Sequence, residues 1–219
     1  NTSEVAGYEI LGRISKDTQL PANLEELFEI SSFFNLAPEL SSLFRIEGVR
    51  VQEKLPKTCL LFMNTHPSEM NSIDDLEKSL TNLREMAPEA TIVMEIHERS
   101  IQSVDTLKYV RQVLSDLDIK LAYDDFGVGE TRLVELARVP PDYLKFDISI
   151  IRNIHLAPTR LHQMVKTFVD ASKDLGIITL AEGIEKKEEC EKCRDLGFEL
   201  GQGFYYSMPL QQSGIVSGD

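Results

Sequence analysis

Seven short apolar runs, separated by segments of helical periodicity, constrain this chain more than any other feature of its sequence. Strands are read over residues 5–11, 58–64, 91–96, 119–124, 143–147, 177–181 and 199–204. Helices are read over 23–34 and 38–53, then along the stripe Leu76, Leu80 and Leu83. Further helices cover 105–117, with Leu107, Val110, Leu114 and Leu117 on one face, then 131–138, 159–175 and 186–196. Such alternation predicts a parallel sheet, open or closed. No linker, low-complexity tract or charge block interrupts it, so residues 1–219 are expected to form a single domain.

The polar residues choose between the two closures. Glu9, Asn64, Glu95, Asp124 with Asp125, Lys145 with Asp147, Glu182 and Gln202 fall at or near the C-terminal ends of different strands. An open sheet concentrates its site at one switch point, whereas a barrel gathers every strand end around one mouth. The expectation is an α/β fold of the TIM-like (β/α) barrel type. An eighth strand is not evident, and because the first run begins close to Asn1, the first barrel strand is expected upstream.

One stretch carries the densest chemistry. Residues 121–130, Leu-Ala-Tyr-Asp-Asp-Phe-Gly-Val-Gly-Glu, read as a buried strand that delivers Asp124 and Asp125 and then bends at Gly127 and Gly129. Neighbours in a regular strand point to opposite faces, so both acids can serve one site only where the strand ends and turns. Two desolvated carboxylates this close are costly without a cation, and oxygen donors suit magnesium or manganese better than zinc or copper. On this reading Asp124→Asn relieves repulsion and raises the melting temperature in metal-free buffer. Any one acid at a strand end, or Lys145 alone, is most often a solvated surface group; the weight lies in their shared position beside apolar runs.

Composition narrows the function classes. A formal charge of -13 argues against a basic face for polymeric nucleic acid, though not against an anionic substrate met through bound cations. No apolar run reaches the roughly 18 residues of a membrane span and no secretory signal opens the chain, so a soluble, cytoplasmic domain without membrane contact is expected. Cys59, Cys190 and Cys193 are too few for a disulfide framework, and the lone Cys190–Cys193 pair lacks the second pair a zinc site needs; reduced thiols are expected. His66, His97, His155 and His162 are read as structural or surface groups, and neither a Ser-His-Asp order nor a GxxxxGK[ST] loop is present. A carboxylate-rich site with one lysine supports phosphoester hydrolysis by metal-activated water or enolisation beside magnesium.

Seven motifs in order carry a resemblance: Glu9-Ile10-Leu11-Gly12-Arg13, Asn64-Thr65-His66-Pro67, Glu95-Ile96-His97-Glu98, Asp124-Asp125-Phe126-Gly127-Val128-Gly129, Lys145-Phe146-Asp147, Glu182-Gly183-Ile184-Glu185 and Gly201-Gln202-Gly203-Phe204. Together they resemble the EAL-domain phosphodiesterases of bacterial cyclic di-GMP signalling, over nearly the whole chain. The resemblance implies a barrel whose mouth holds two magnesium or manganese ions and cuts cyclic di-GMP to linear pGpG. It implies Glu9, Asn64, Glu95 and Asp124 as ligands of one ion, with Asp124 bridging to a second held by Asp125 and Glu182. Lys145 would orient or deprotonate the attacking water, and Glu185 and Gln202 would position water and the metal shell. Leu11, Arg13, Pro67 and Asp147 are implied as substrate contacts, and Glu98 as the residue that holds the loop after Asp125. A homodimer and an upstream sensory domain are the partners it implies.

Three departures stand out. The tripeptide Glu9-Ile10-Leu11 differs at a position that alternation points away from the site. The loop reads Gly127-Val128-Gly129-Glu130-Thr131-Arg132 where the family usually has a threonine, a tyrosine and serines, which bears on regulation and dimer coupling. The family's opening strand, with its glutamine, is not seen. A second reading is a silent cyclic di-GMP receptor, and a third an enolising magnesium enzyme, which the Asp124–Asp125 pair and Gln202 fit poorly.

Overall fold

The computed structural model describes residues 4–15, 18–21, 23–50, 54–56, 58–97, 100–101, 103–128 and 133–209. They fall into two compact units, divided in the chain between Lys120 and Leu121.

In the first unit three strands, β1 (Gly7–Ile10), β2 (Leu60–Asn64) and β3 (Thr91–His97), pair in parallel in chain order. Leu61, Phe62 and Met63 of β2 are all buried, as are Ile92 through Ile96 of β3, so both faces are covered, as a parallel sheet requires. The helices are α1 (Leu24–Phe33), α2 (Ala37–Val49), α3 (Ile73–Met86) and α4 (Val104–Asp116). Asn23 caps α1 by accepting the Glu25 N–H at 3.0 Å, and Ser103 caps α4 by accepting that of Thr106 at 3.1 Å. The expected stripe of α3, Leu76, Leu80 and Leu83, is buried, as are Leu107, Val110 and Leu114 of α4. A short 3₁₀ turn, Pro67–Asn71, lies between β2 and α3; no periodic signal announces it.

In the second unit β4 (Lys120–Phe126, whose first residue falls just before the division), β5 (Tyr143–Phe146), β6 (Ile178–Ala181) and β7 (Leu200–Gly201) pair in parallel, again in chain order. Helices α5 (Leu133–Arg138), α6 (Ile148–Ile151), α7 (Thr159–Asp174) and α8 (Lys187–Leu196) connect them. Phe126 and Phe146 meet edge to face at 5.0 Å, Phe126 and Phe168 at 5.5 Å, and Phe146 and Phe198 at 4.9 Å, which joins strands and helix into one core. The last strand is shorter than read from sequence. Gly203, at φ +147, lets the chain turn against the backbone of Ile184, where a Cβ would stand 2.2 Å from the Ile184 carbonyl oxygen.

Among the described residues no helix is long and apolar enough to cross a membrane.

Candidate active site

The chemistry of the second unit begins with one extra residue. Tyr123 is level with Leu144 on β5 and Phe126 with Phe146, so Asp124 and Asp125 together face the single residue Lys145. This is a β-bulge, and it solves the alternation problem raised by adjacent acids. Asp125 takes φ +60, the left-handed region that aspartate tolerates better than most side chains, and Gly127 follows at φ +100. The turn closes with the Val128 N–H donating to the Asp125 carbonyl at 3.2 Å.

Lys145 is 1% exposed, and its ammonium lies 3.0 Å from Asp124 Oδ1 and 2.8 Å from Glu182 Oε1. Asp124 Oδ1 also accepts the Asp125 N–H at 3.0 Å. Glu182 stands one residue past β6, its N–H donating to the Phe146 carbonyl at 3.0 Å. Asp147, one residue past β5, caps α6 by accepting the Ser149 N–H at 2.8 Å. One oxygen from each of Asp125, Asp147 and Glu182 lies within 4.8 Å of the others. Three half-buried acids at such separations repel one another unless protons or a cation intervene, and their all-oxygen donor set fits magnesium or manganese.

The grouping sets Asp147, which the resemblance implies as a substrate contact, beside two of the acids it implies as metal ligands. The Asp124 carboxylate also sits beside the buried Lys145 ammonium, so neutralising it removes an attraction as well as any repulsion from Asp125. Glu185 pairs with Arg152 at 2.5 Å, both partly exposed. Gln202 stands one residue past β7; its N–H donates to the Ala181 carbonyl, and its carbonyl accepts the Ile184 N–H, both at 2.9 Å.

In the first unit Asn64 and Glu95 are level across β2 and β3. The Asn64 carboxamide donates to Glu9 Oε1 at 3.3 Å, and Glu95 is fully buried. Leu11, Arg13, Pro67 and Asn64 line a cavity of about 260 Å³ together with Phe28 and His66. Those two rings stack at 4.9 Å, and burial, together with His97, pushes the His66 pKa down against the pull of Glu69. Glu98 and residues 129–132 of the loop lie outside the described residues.

Two buried polar networks lie outside the residues singled out from the sequence. Arg45 of α2 and Glu69 form a buried, bidentate ion pair next to Asn64. Glu189 of α8, 1% exposed, accepts the N–H groups of Asn153, Glu185 and Lys186 at 2.7, 2.9 and 3.0 Å, which ties the loop after Glu182 to the turn before α7. A signal existed for each. Arg45 lies on the buried stripe Ala37, Ser41, Arg45, Val49, while Glu69 and Glu189 sit three residues after the caps His66 and Lys186, the spacing of a capping box.

The profile of the EAL domain matches residues 1–209, and the chain belongs to the EAL domain family. It is 29% identical over 184 residues to the probable cyclic di-GMP phosphodiesterase PdeN of Escherichia coli K12, which covers 83% of this chain and 35% of that protein. The cyclic di-GMP phosphodiesterase RocR of Pseudomonas aeruginosa is 27% identical over 186 residues, 82% of this chain and 47% of RocR. The oxygen sensor protein DosP of E. coli matches over 54% of this chain and 15% of its own length, so the chain spans less than half of each of these relatives. Among solved structures, the manganese/cy-diGMP complex of Klebsiella pneumoniae BlrP1 at pH 9.0 superposes with a TM-score of 0.83 at 27% identity, covering 97% of this chain and 54% of BlrP1. The likeness bears out the fold class read from the alternation, α/β with the TIM-like (β/α) arrangement.

Proposed function

We propose that this domain binds cyclic di-GMP and hydrolyses one of its phosphodiester bonds to give linear pGpG, using two divalent cations, magnesium or manganese. The observation that carries the reading is the convergence of Asp125, Asp147 and Glu182 within 4.8 Å, beside the buried ammonium of Lys145. The names of PdeN and RocR, and the manganese/cy-diGMP complex of BlrP1, support it.

Asp125, Asp147 and Glu182 would hold one cation, and Glu9, Asn64 and Glu95 another, with Asp124 the ligand that the sequence resemblance assigns to both. When bound, such ions lower the pKa of a coordinated water and offset the charge of the phosphate, which lets a chain of charge -13 accept a dianion. The protein's own contribution is orientation. Lys145 fixes the carboxylates of Asp124 and Glu182 and adds positive charge where phosphate oxygens become more negative. Glu185 and Gln202 would order water on the loops after β6 and β7. Arg13, Leu11 and Pro67 line the cavity that would receive part of the nucleotide. The match to DosP supports a domain that works behind a sensor, and a homodimer is part of the same reading.

The test is to incubate the protein with cyclic di-GMP and magnesium or manganese and to separate the products. Appearance of pGpG, abolished by a chelator, supports the reading. Absence of turnover with either ion overturns it, and recovery of intact nucleotide from a tight complex would establish a receptor instead.

A further inference from the structure

We infer that the buried Arg45–Glu69 ion pair positions Asn64 as a metal ligand. The inference rests on Asn64 holding a divalent cation, as proposed above.

The argument starts from the end of β2. The peptide unit that joins Asn64 to Thr65 is held on both sides: the Arg45 guanidinium donates to the Asn64 carbonyl at 3.2 Å, and the Thr65 N–H donates to the Glu95 carbonyl at 3.1 Å. The next N–H, of His66, donates to Glu69 Oε1 at 2.8 Å, and that carboxylate is gripped by both terminal nitrogens of Arg45. Arg45 also reaches Ser41 and Ser79, each at 3.0 Å, which anchors the guanidinium to α2 and α3. The side chains of Arg45 and Glu69 are each 2% exposed.

Stability alone is a weak reason for this arrangement, because the desolvation of a buried ion pair often exceeds its Coulombic gain. What the pair does beyond that is help fix successive backbone groups immediately after a ligand side chain, the His66 N–H being shared with Ser41 Oγ at 3.3 Å. Asn64 is neutral and binds a cation less strongly than a carboxylate does, so its contribution depends on being held in place. Groups that orient a ligand in this way typically govern about 10- to 100-fold in metal affinity.

Two variants of the full chain separate positioning from mere support. Arg45→Lys keeps the charge opposite Glu69 but has no planar fork to span Glu69, Ser79 and the Asn64 carbonyl. The double change Arg45→Met with Glu69→Leu removes both charges, so neither is left buried alone. For each, folding is read by circular dichroism and metal-free melting, and Mn²⁺ binding by electron paramagnetic resonance. Wild type is expected to take up two Mn²⁺ per chain. Each folded variant is expected to keep the ion of Asp125, Asp147 and Glu182 and to bind the other about 10- to 100-fold more weakly, whichever way its melting temperature moves. A folded variant with both sites at wild-type affinity overturns the inference and leaves the proposed function standing. Failure of wild type to bind Mn²⁺ overturns both.

Discussion

Lys145 Nζ lies 2.8 Å from Glu182 Oε1, with the lysine 1% exposed, so one buried cation belongs to the protein itself before any ion arrives. The same ammonium serves Asp124 at 3.0 Å.

Lys145→Met should therefore damage both folding and chemistry. Leaving two acids without their cation is expected to cost about 3–5 kcal/mol in metal-free buffer, as for other broken buried pairs. Turnover with saturating manganese should fall about 10²–10³-fold, the scale of losing one well-placed charge-stabilising donor. Urea denaturation and steady-state kinetics measure the two effects; turnover within a few-fold of wild type would remove Lys145 from the mechanism.

Asp124→Asn bears on the same contact. Read from sequence, adjacent carboxylates promise relief of repulsion and a higher melting temperature. The ion pair with Lys145 argues for the opposite sign, a loss of about 2 kcal/mol without metal, the scale of a hydrogen bond to a charged group. Hydrolysis should be abolished. A variant that melts above wild type in chelator would show that repulsion outweighs the lysine.

Glu189 predicts an acid limb of stability. Burial alone would raise its pKa, but the three backbone N–H donors and the charge of Lys186 outweigh it and hold the carboxyl below its ordinary 4.5. Folding thus gains from this group in full above pH 4.5 and loses the gain as pH falls through the lowered folded value. Glu189→Gln should flatten that part of the curve of urea midpoint against pH. An unchanged slope below pH 4.5 would show that other acids govern it.

Cys193 predicts inert chemistry. Burial, with Cys190 and Glu189 adding to it, pushes its thiol up to about 12, and Cys59 and Cys190 are also buried and free. A thiol reagent at mildly alkaline pH should label none of the three in the folded protein and all three after denaturation. Rapid stoichiometric labelling of native protein would refute this.

The elements were legible in the sequence because each has its own period: fully apolar runs such as 60–63 and 92–94 for doubly covered strands, and Leu76, Leu80, Leu83 for a helix face. The acids at the strand ends were legible because charge beside buried apolar runs is rare without a purpose. The bulge was not, since an additional residue in a strand leaves no mark in composition. The approach of Asp147 to Asp125 and Glu182 was not legible either, since the three stand at the ends of different strands. The Arg45–Glu69 and Glu189–Asn153 contacts join residues 24 and 36 apart, and a periodic pattern reports nothing over such separations.

The bulge on β4 depends on how many residues the strand contains, not on which ones. Substitution scans change side chains and leave that number intact, so they would not reveal the dependence. Deleting Ala122 would keep every acid in the chain, yet it would let β4 run flush with β5 and turn Asp124 and Asp125 to opposite faces. A frame of one residue is thus as necessary to this site as any carboxylate in it, and length variation within β4 is where a relative with all its acids would lose the arrangement.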